Sequence, residues 1–88
     1  MKPIQEMSVV ITGGGSGIGE ATARYLAAQG AKVTICGRRE DRIKTVAKEI
    51  GGNCAWVTAD VTSSADRQKL IDTAILHGGR IDALISNA

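Results

Sequence analysis

The stretch Thr12-Gly13-Gly14-Gly15-Ser16-Gly17-Ile18-Gly19 decides how the rest of the chain is read. Just before it, Ser8-Val9-Val10-Ile11-Thr12 is an apolar, β-branched run too short for a stable helix, and so a predicted strand. Just after it, an Ala-rich segment predicts a helix from about Gly17 to Gln29, closed by Gly30. Gly13, Gly17 and Gly19 give the spacing G-x-x-x-G-x-G at this junction. A strand that turns at once into a helix needs a tight bend, which Gly13 permits. If the backbone must also approach an anion such as a pyrophosphate, a side chain at Gly17 would stand in the way. Gly19 lets helix and strand pack closely. The helix start adds free N–H groups and a partial positive charge.

Three more apolar runs follow at near-regular intervals: Lys32–Cys36, Cys54–Ala59 and Ile81–Ser86. Runs that are apolar on both faces suit strands covered on both sides, as in a parallel sheet. Helical patterns lie between them. Ile43, Val46, Ala47 and Ile50 repeat at helical spacing and stop at Gly51-Gly52. Leu70, Ile71, Ala74 and Ile75 form a second stripe, opened by Ser63 with Asp66 three residues on and ended by His77-Gly78-Gly79. In the first helix the expected buried side is Ile18, Ala21, Tyr25 and Leu26. The order β-α-β-α-β-α-β calls for right-handed crossovers.

With 88 residues the chain holds one domain at most. A net charge of +2, no long basic run and only two aromatics, Tyr25 and Trp56, argue against a nucleic-acid binder. Cys36 and Cys54 are far apart, form no CxxC, and read as reduced core thiols. No cluster has metal-ligand spacing, so no metal is expected. No stretch resembles a signal peptide or reaches the length of a membrane span. A cytoplasmic protein with no membrane partner is the resulting expectation. His77 reads as a solvated helix-end residue. Arg42, Lys44, Lys48 and Glu49 read as the wet face of a helix.

Thr12-Gly-Gly-Gly-Ser-Gly-Ile-Gly19 resembles the T-G-x-x-x-G-I-G signature of the short-chain dehydrogenases/reductases. Asp60-Val61 is similar to that family's D-V pair after the third strand. Ile81-Asp82 and Ser86-Asn87-Ala88 are similar to its strand ending in N-N-A-G, with Ser86 in place of the usual Asn. The resemblance runs over essentially the whole chain. It implies a Rossmann-type α/β fold of three layers, truncated, with a parallel sheet in the order 3-2-1-4. Residues 1–88 would then be an incomplete N-terminal dinucleotide-binding domain. The turn Gly13, Gly15, Ser16, Gly17, Ile18 would wrap the pyrophosphate, with Gly19 behind it. Asp60 would bond the adenine amino group, with Val61 beside the ring. Asn87 and Ala88 would sit near the nicotinamide-side ribose.

The cofactor implied is a nicotinamide dinucleotide. At the end of the second strand, where an acidic residue would grip the ribose hydroxyls of NAD(H), the sequence has Gly37 followed by Arg38 and Arg39. Guanidinium groups suit a 2′-phosphate, so NADP(H) is expected over NAD(H). Catalytic residues are not expected here: Tyr25 is not followed by a Lys four residues on, and no Tyr-x-x-x-Lys pair occurs. The expectation is therefore a piece of an NAD(P)-dependent oxidoreductase acting on an alcohol or ketone, inactive by itself. The alternatives are a stand-alone nucleotide-binding module, and a different Rossmann class such as a methyltransferase, against which the glycine spacing and Asp60-Val61 speak. An exposed sheet edge and an uncovered face lead to the expectation of self-association.

Overall fold

The computed structural model describes residues 2–87. A turn of 3-10 helix at Ile4–Glu6 leads into seven elements. They are β1 (Ser8–Thr12), α1 (Gly17–Ala28), β2 (Lys32–Gly37), α2 (Glu40–Ile50), β3 (Cys54–Thr58), α3 (Ser64–Gly78) and β4 (Ala83–Ile85). The four strands form one parallel sheet in the order β3-β2-β1-β4. This is the α/β arrangement expected from the sequence.

Strand alternation divides the core in two. Val9 and Ile11 of β1, with Val33 and Ile35 of β2, face α1 and α2 and meet Ala23, Ala27, Ile43 and Val46. Val10, Cys36 and Val57 face the other way and meet Leu70 and Ala74 of α3. Helix on sheet on helix gives three layers, with two helices on one face and one on the other. All five residues of β1 are buried, as a central strand requires.

The side of α1 that packs differs from the expected one. Gly19, Ala23 and Ala27 are buried, while Ile18 is 76% and Tyr25 59% exposed, and Ala21 is also exposed. Only Leu26 of the expected four is half-buried against the core. The helix turns its smallest residues to the sheet because a helix entered from so tight a bend lies close to it. In α3, Leu70 and Ala74 are buried as expected, but Ile71 and Ile75 stay exposed because the sheet beneath is narrow.

The helix ends follow their local chemistry. Gly51 caps α2 at φ +103° and Gly79 caps α3 at φ +82°, backbone conformations that other residues adopt only with strain. Ser63 Oγ accepts the N–H of Asp66 at 3.2 Å. The Asp66 carboxylate does not return to Ser63 but accepts the N–H of Asp60 at 2.8 Å, tying α3 to the end of β3. His77 is likewise not simply solvated: its Nε2 lies 3.0 Å from the Asn53 carbonyl oxygen and secures the far end of α3.

Strand β4 is shorter than the apolar run that predicts it. At its start, the Asp82 carboxylate accepts the Ser8 N–H at 2.8 Å, and Lys2 Nζ and Arg80 Nε bind the same carboxylate. At its end, the Asn87 N–H donates to Thr12 Oγ1 at 3.0 Å instead of to a backbone carbonyl. Strand β3 ends one residue before Ala59, and β2 runs on to Gly37.

Candidate functional site

The carboxyl ends of the strands open into a cleft of about 520 Å³. Strand β1 has its sequence neighbour β2 on one side and β4 on the other, so the crevice lies where the chain reverses the direction in which it builds the sheet. The glycine turn forms one wall, Gly37 and Arg38 a second, and Ala59 to Thr62 a third, with Asn87 beside Thr12.

Each glycine of the turn answers to a different constraint. Gly14 is pressed on β2: its N–H donates to the Cys36 carbonyl at 3.1 Å, and a Cβ there would stand 2.6 Å from Ile35 Cβ. Gly15 sits under α2, where a Cβ would stand 3.0 Å from Ile43 Cδ1. At Gly19 a Cβ would overlap the Gly13 carbonyl oxygen and stand 2.7 Å from Asn87 Nδ2. Gly17 differs, for no atom lies within 4 Å of its missing Cβ, and its φ is +56°. Gly13 has φ +67°. Gly13 and Gly17 therefore need glycine for backbone conformation. The open space above Gly17 belongs to the cleft.

The start of α1 carries no side-chain cap. Its first N–H groups lack partners within the helix, and the helix dipole adds positive character. Uncapped donors beside a bare, left-handed glycine fit the phosphates of a dinucleotide. Arg38, the one cation of the lining among the described residues, stands on the β2 side.

On the third wall, Asp60 Oδ1 accepts the Thr62 hydroxyl at 2.7 Å and the Thr62 N–H at 2.9 Å. The Thr62 hydroxyl, its N–H and the nearby charge of Arg38 hold the Asp60 carboxyl below its ordinary value, so it is ionised at neutral pH. Cys36 lies at the base of the cleft, and burial raises its thiol, which keeps it neutral and unreactive.

Of the residues singled out from the sequence, Gly13, Ser16, Gly17, Ile18, Arg38, Asp60, Val61 and Asn87 share this cleft. Gly15 and Gly19 lie behind it as packing points. Arg39 stands outside the lining, at the residue preceding α2. Ala88 lies outside the described residues. Thr12, which opens the glycine signature, lines the cleft as well, as do Cys36, Ala59 and Thr62, for which the sequence suggested no place in a site. An Asp followed two residues later by Thr is an Asx-turn signal that points to Thr62.

Arg42, Lys44, Lys48 and Glu49 are exposed, as expected of the wet face of α2. Arg42 also makes contacts that this reading does not contain: its Nε donates to the Gly15 carbonyl and its Nη2 pairs with Glu20 Oε1 at 2.6 Å. Among the described residues, no group of three or more His, Cys, Asp or Glu could hold a metal ion, and no helix is long and apolar enough to cross a membrane.

A family model for short chain dehydrogenases matches residues 7–88. The uncharacterized oxidoreductase YxnA of Bacillus subtilis is 41% identical over 91 residues, which is 100% of this chain and 26% of that protein. A short chain dehydrogenase from Bacillus anthracis superposes with a TM-score of 0.91 at 39% identity, over 99% of this chain and 36% of its own. The 3-ketoacyl-(acyl-carrier-protein) reductase of Brucella melitensis, solved in complex with NADH, gives a TM-score of 0.89 at 37% identity, over 92% of this chain and 34% of its own. The chain thus spans between about a quarter and just over a third of the length of these relatives. Sequence, sheet order and glycine turn agree: the chain belongs to the short chain dehydrogenase family.

Proposed function

We propose that this chain binds NADP(H), in preference to NAD(H), in the cleft at the carboxyl ends of its strands. The observation that carries the reading is the lining itself. An uncapped helix start and the bare Gly17 lie on one side, and Arg38 stands on another with no acidic residue at Gly37.

The turn from Gly13 to Ile18 holds the pyrophosphate through backbone N–H groups, and Gly17 leaves the room. Arg38 receives the 2′-phosphate with paired, permanently charged donors. Asp60, ionised and oriented by Thr62, accepts the adenine amino group, with Val61 against the ring. Asn87, fixed to Thr12 through its N–H, orients the nicotinamide-side ribose. Arg39, outside the lining, adds only its charge. The bare backbone of Gly37 also has a packing reason, for a Cβ there would stand 2.8 Å from Ile43 Cδ1.

The nicotinamide, when bound, gives or takes a hydride. In a protein of the relatives' length, we propose oxidoreduction of an alcohol or ketone. The Brucella relative was solved with NADH, so cofactor choice is a matter for titration. The 88 residues contain no Tyr-x-x-x-Lys pair, and without an acid/base the bound cofactor has no partner for proton transfer. By itself the chain binds and does not turn over.

The test is a titration of NADPH and NADH into the 88-residue chain, followed by nicotinamide fluorescence, with ketones then added while absorbance is followed. Tighter binding of NADPH and no turnover are expected. Tighter binding of NADH, or no binding of either, would overturn the cofactor reading, and turnover traced to this chain would overturn the claim of inactivity.

A further inference from the structure

We infer that Arg42, oriented by Glu20, is a positioning residue that sets the phosphate-binding turn by holding the Gly15 carbonyl. The inference rests on the reading of the cleft as a dinucleotide site.

Two peptides of the turn are anchored to elements further along the chain. Gly14 is anchored to β2 through the Cys36 carbonyl. Gly15 is anchored to α2 by Arg42, 27 residues further along the chain. The Arg42 side chain also packs there, with its Cγ 3.2 Å from where a Gly15 Cβ would stand. Ser16 and Gly17, the next residues, are exposed and line the cleft.

A trans peptide is planar, with its carbonyl and the next N–H on opposite sides. Fixing the Gly15 oxygen toward Arg42 therefore fixes the Ser16 N–H away from Arg42. The charged donor also polarises the Gly15–Ser16 peptide, which strengthens that N–H as a donor to an anion.

Arg42 is itself held. Glu20 Oε1 takes its Nη2, and Glu20 Oε2 takes Arg24 Nε at 2.9 Å. Arg24 in turn reaches Glu49 Oε1 at 2.5 Å. The line Glu49–Arg24–Glu20–Arg42 joins α1 and α2 and ends on the Gly15 carbonyl. Glu20 is the most enclosed charge in this line, with a side chain 19% exposed. Arg42 does not line the cleft, so it acts through the turn and not on the ligand. That separates it from Arg38, whose contact is with one cofactor only.

The distinction gives the test. The 88-residue chain, Arg42→Gln, Glu20→Gln and the double variant are titrated with NADPH and with NADH, at a temperature where circular dichroism shows each to be folded. Arg42→Gln is expected to weaken both cofactors by the same factor, about tenfold, as fits loss of a charge-assisted hydrogen bond. The double variant is expected to be no weaker than Arg42→Gln alone, because Glu20 works through Arg42. If Arg42→Gln does not fold, Arg42→Lys takes its place: one ammonium cannot reach both Glu20 and Gly15 in that geometry, and both cofactors still weaken equally.

A lower melting temperature with unchanged affinities would show a purely structural ion pair and overturn the inference. So would a loss confined to NADPH, which would make Arg42 a direct phosphate contact. A wild-type chain that binds neither cofactor is a different result, since it removes the reading of the cleft before any variant is compared.

Discussion

Gly19 faces the carbonyl oxygen of Gly13 so closely that a Cβ on Gly19 would overlap it. Helix α1 therefore begins against the end of β1 with no room for a methyl group. Gly19→Ala must push the helix off the strand and is expected to destabilise the chain by about 1–3 kcal/mol, the usual range for overpacking. Gly17→Ala meets no neighbour, but its φ of +56° charges it about 1–2 kcal/mol in strain. The added methyl also enters the cleft. Thermal melting should show both losses. Titration of folded protein should show an additional loss of cofactor affinity for Gly17→Ala, and an affinity equal to wild type would contradict the placement of the phosphates at that glycine.

Arg38 is a cation of the cleft lining, and it lies near enough to Asp60 to lower that carboxyl. Arg38→Ala is expected to weaken NADP(H) by about 1.5–3 kcal/mol, the range of a hydrogen bond to a charged group. NAD(H) should change little. Calorimetric titration of both cofactors into both proteins measures this. Equal losses would mean that Arg38 shapes the wall and does not read the phosphate.

The Asp82 carboxylate gathers Lys2, the Ser8 N–H and Arg80, and these hold its pKa at about 2 against the ordinary 3.8. The folded state thus binds this proton later than the unfolded chain does. Its stabilisation is fully present above about pH 4 and is lost as the pH falls toward 2. Melting temperatures of the wild type should therefore drop over that interval more steeply than those of Asp82→Asn. Asp60 is also depressed and contributes in both proteins, so the difference between the two curves isolates Asp82. Parallel curves would show that the cluster adds nothing to stability.

Leu84 sits opposite Val10 on the face that α3 covers, yet it is 63% exposed, because α3 packs mainly over β2 and β3. With Leu70, Ile71 and Ile81 it lines an apolar hollow of about 300 Å³ at the edge of the sheet. An apolar edge strand with no Lys or Pro within it pairs readily with another copy. The chain is expected to gain mass with concentration in light scattering, and Leu84→Lys to reduce that gain. A wild type that stays monomeric at high concentration would refute this.

The fold was legible because each strand is a compact β-branched run and each helix is bounded by glycine or a capping residue. Handedness then leaves few ways to order four parallel strands. The packing side of α1 was not legible by hydrophobic size. Ile18 and Tyr25 are the largest apolar residues of that segment, but the nearness set by Gly13 and Gly19 selects Ala23 and Ala27 for the sheet. In the cleft, residues next to a motif could be read from it: Ser16 and Ile18 beside the glycines, Val61 beside Asp60. Arg42 could not, since its contact with Gly15 depends on the angle at which α2 crosses the turn, and nothing local to Arg42 encodes that angle. Ser63 and Asp66 announced a helix start. That Asp66 would serve Asp60 instead of Ser63 is set by where β3 delivers its last residues.

The place of β1 in the sheet governs the order in which the molecule can assemble. It is the first strand among the described residues, and its other neighbour, β4, enters through a bond between Ser8 and Asp82, 74 residues apart. During synthesis β1 can pair with β2 early, through the short α1 crossover. Its other edge stays open while the rest is made, about 4–15 seconds at ordinary elongation rates. For that interval the nascent chain carries an unpaired, wholly apolar edge in Val9-Val10-Ile11. Closing so long a loop costs more chain entropy than pairing β1 with β2, so β4 is expected to dock after those two strands have met.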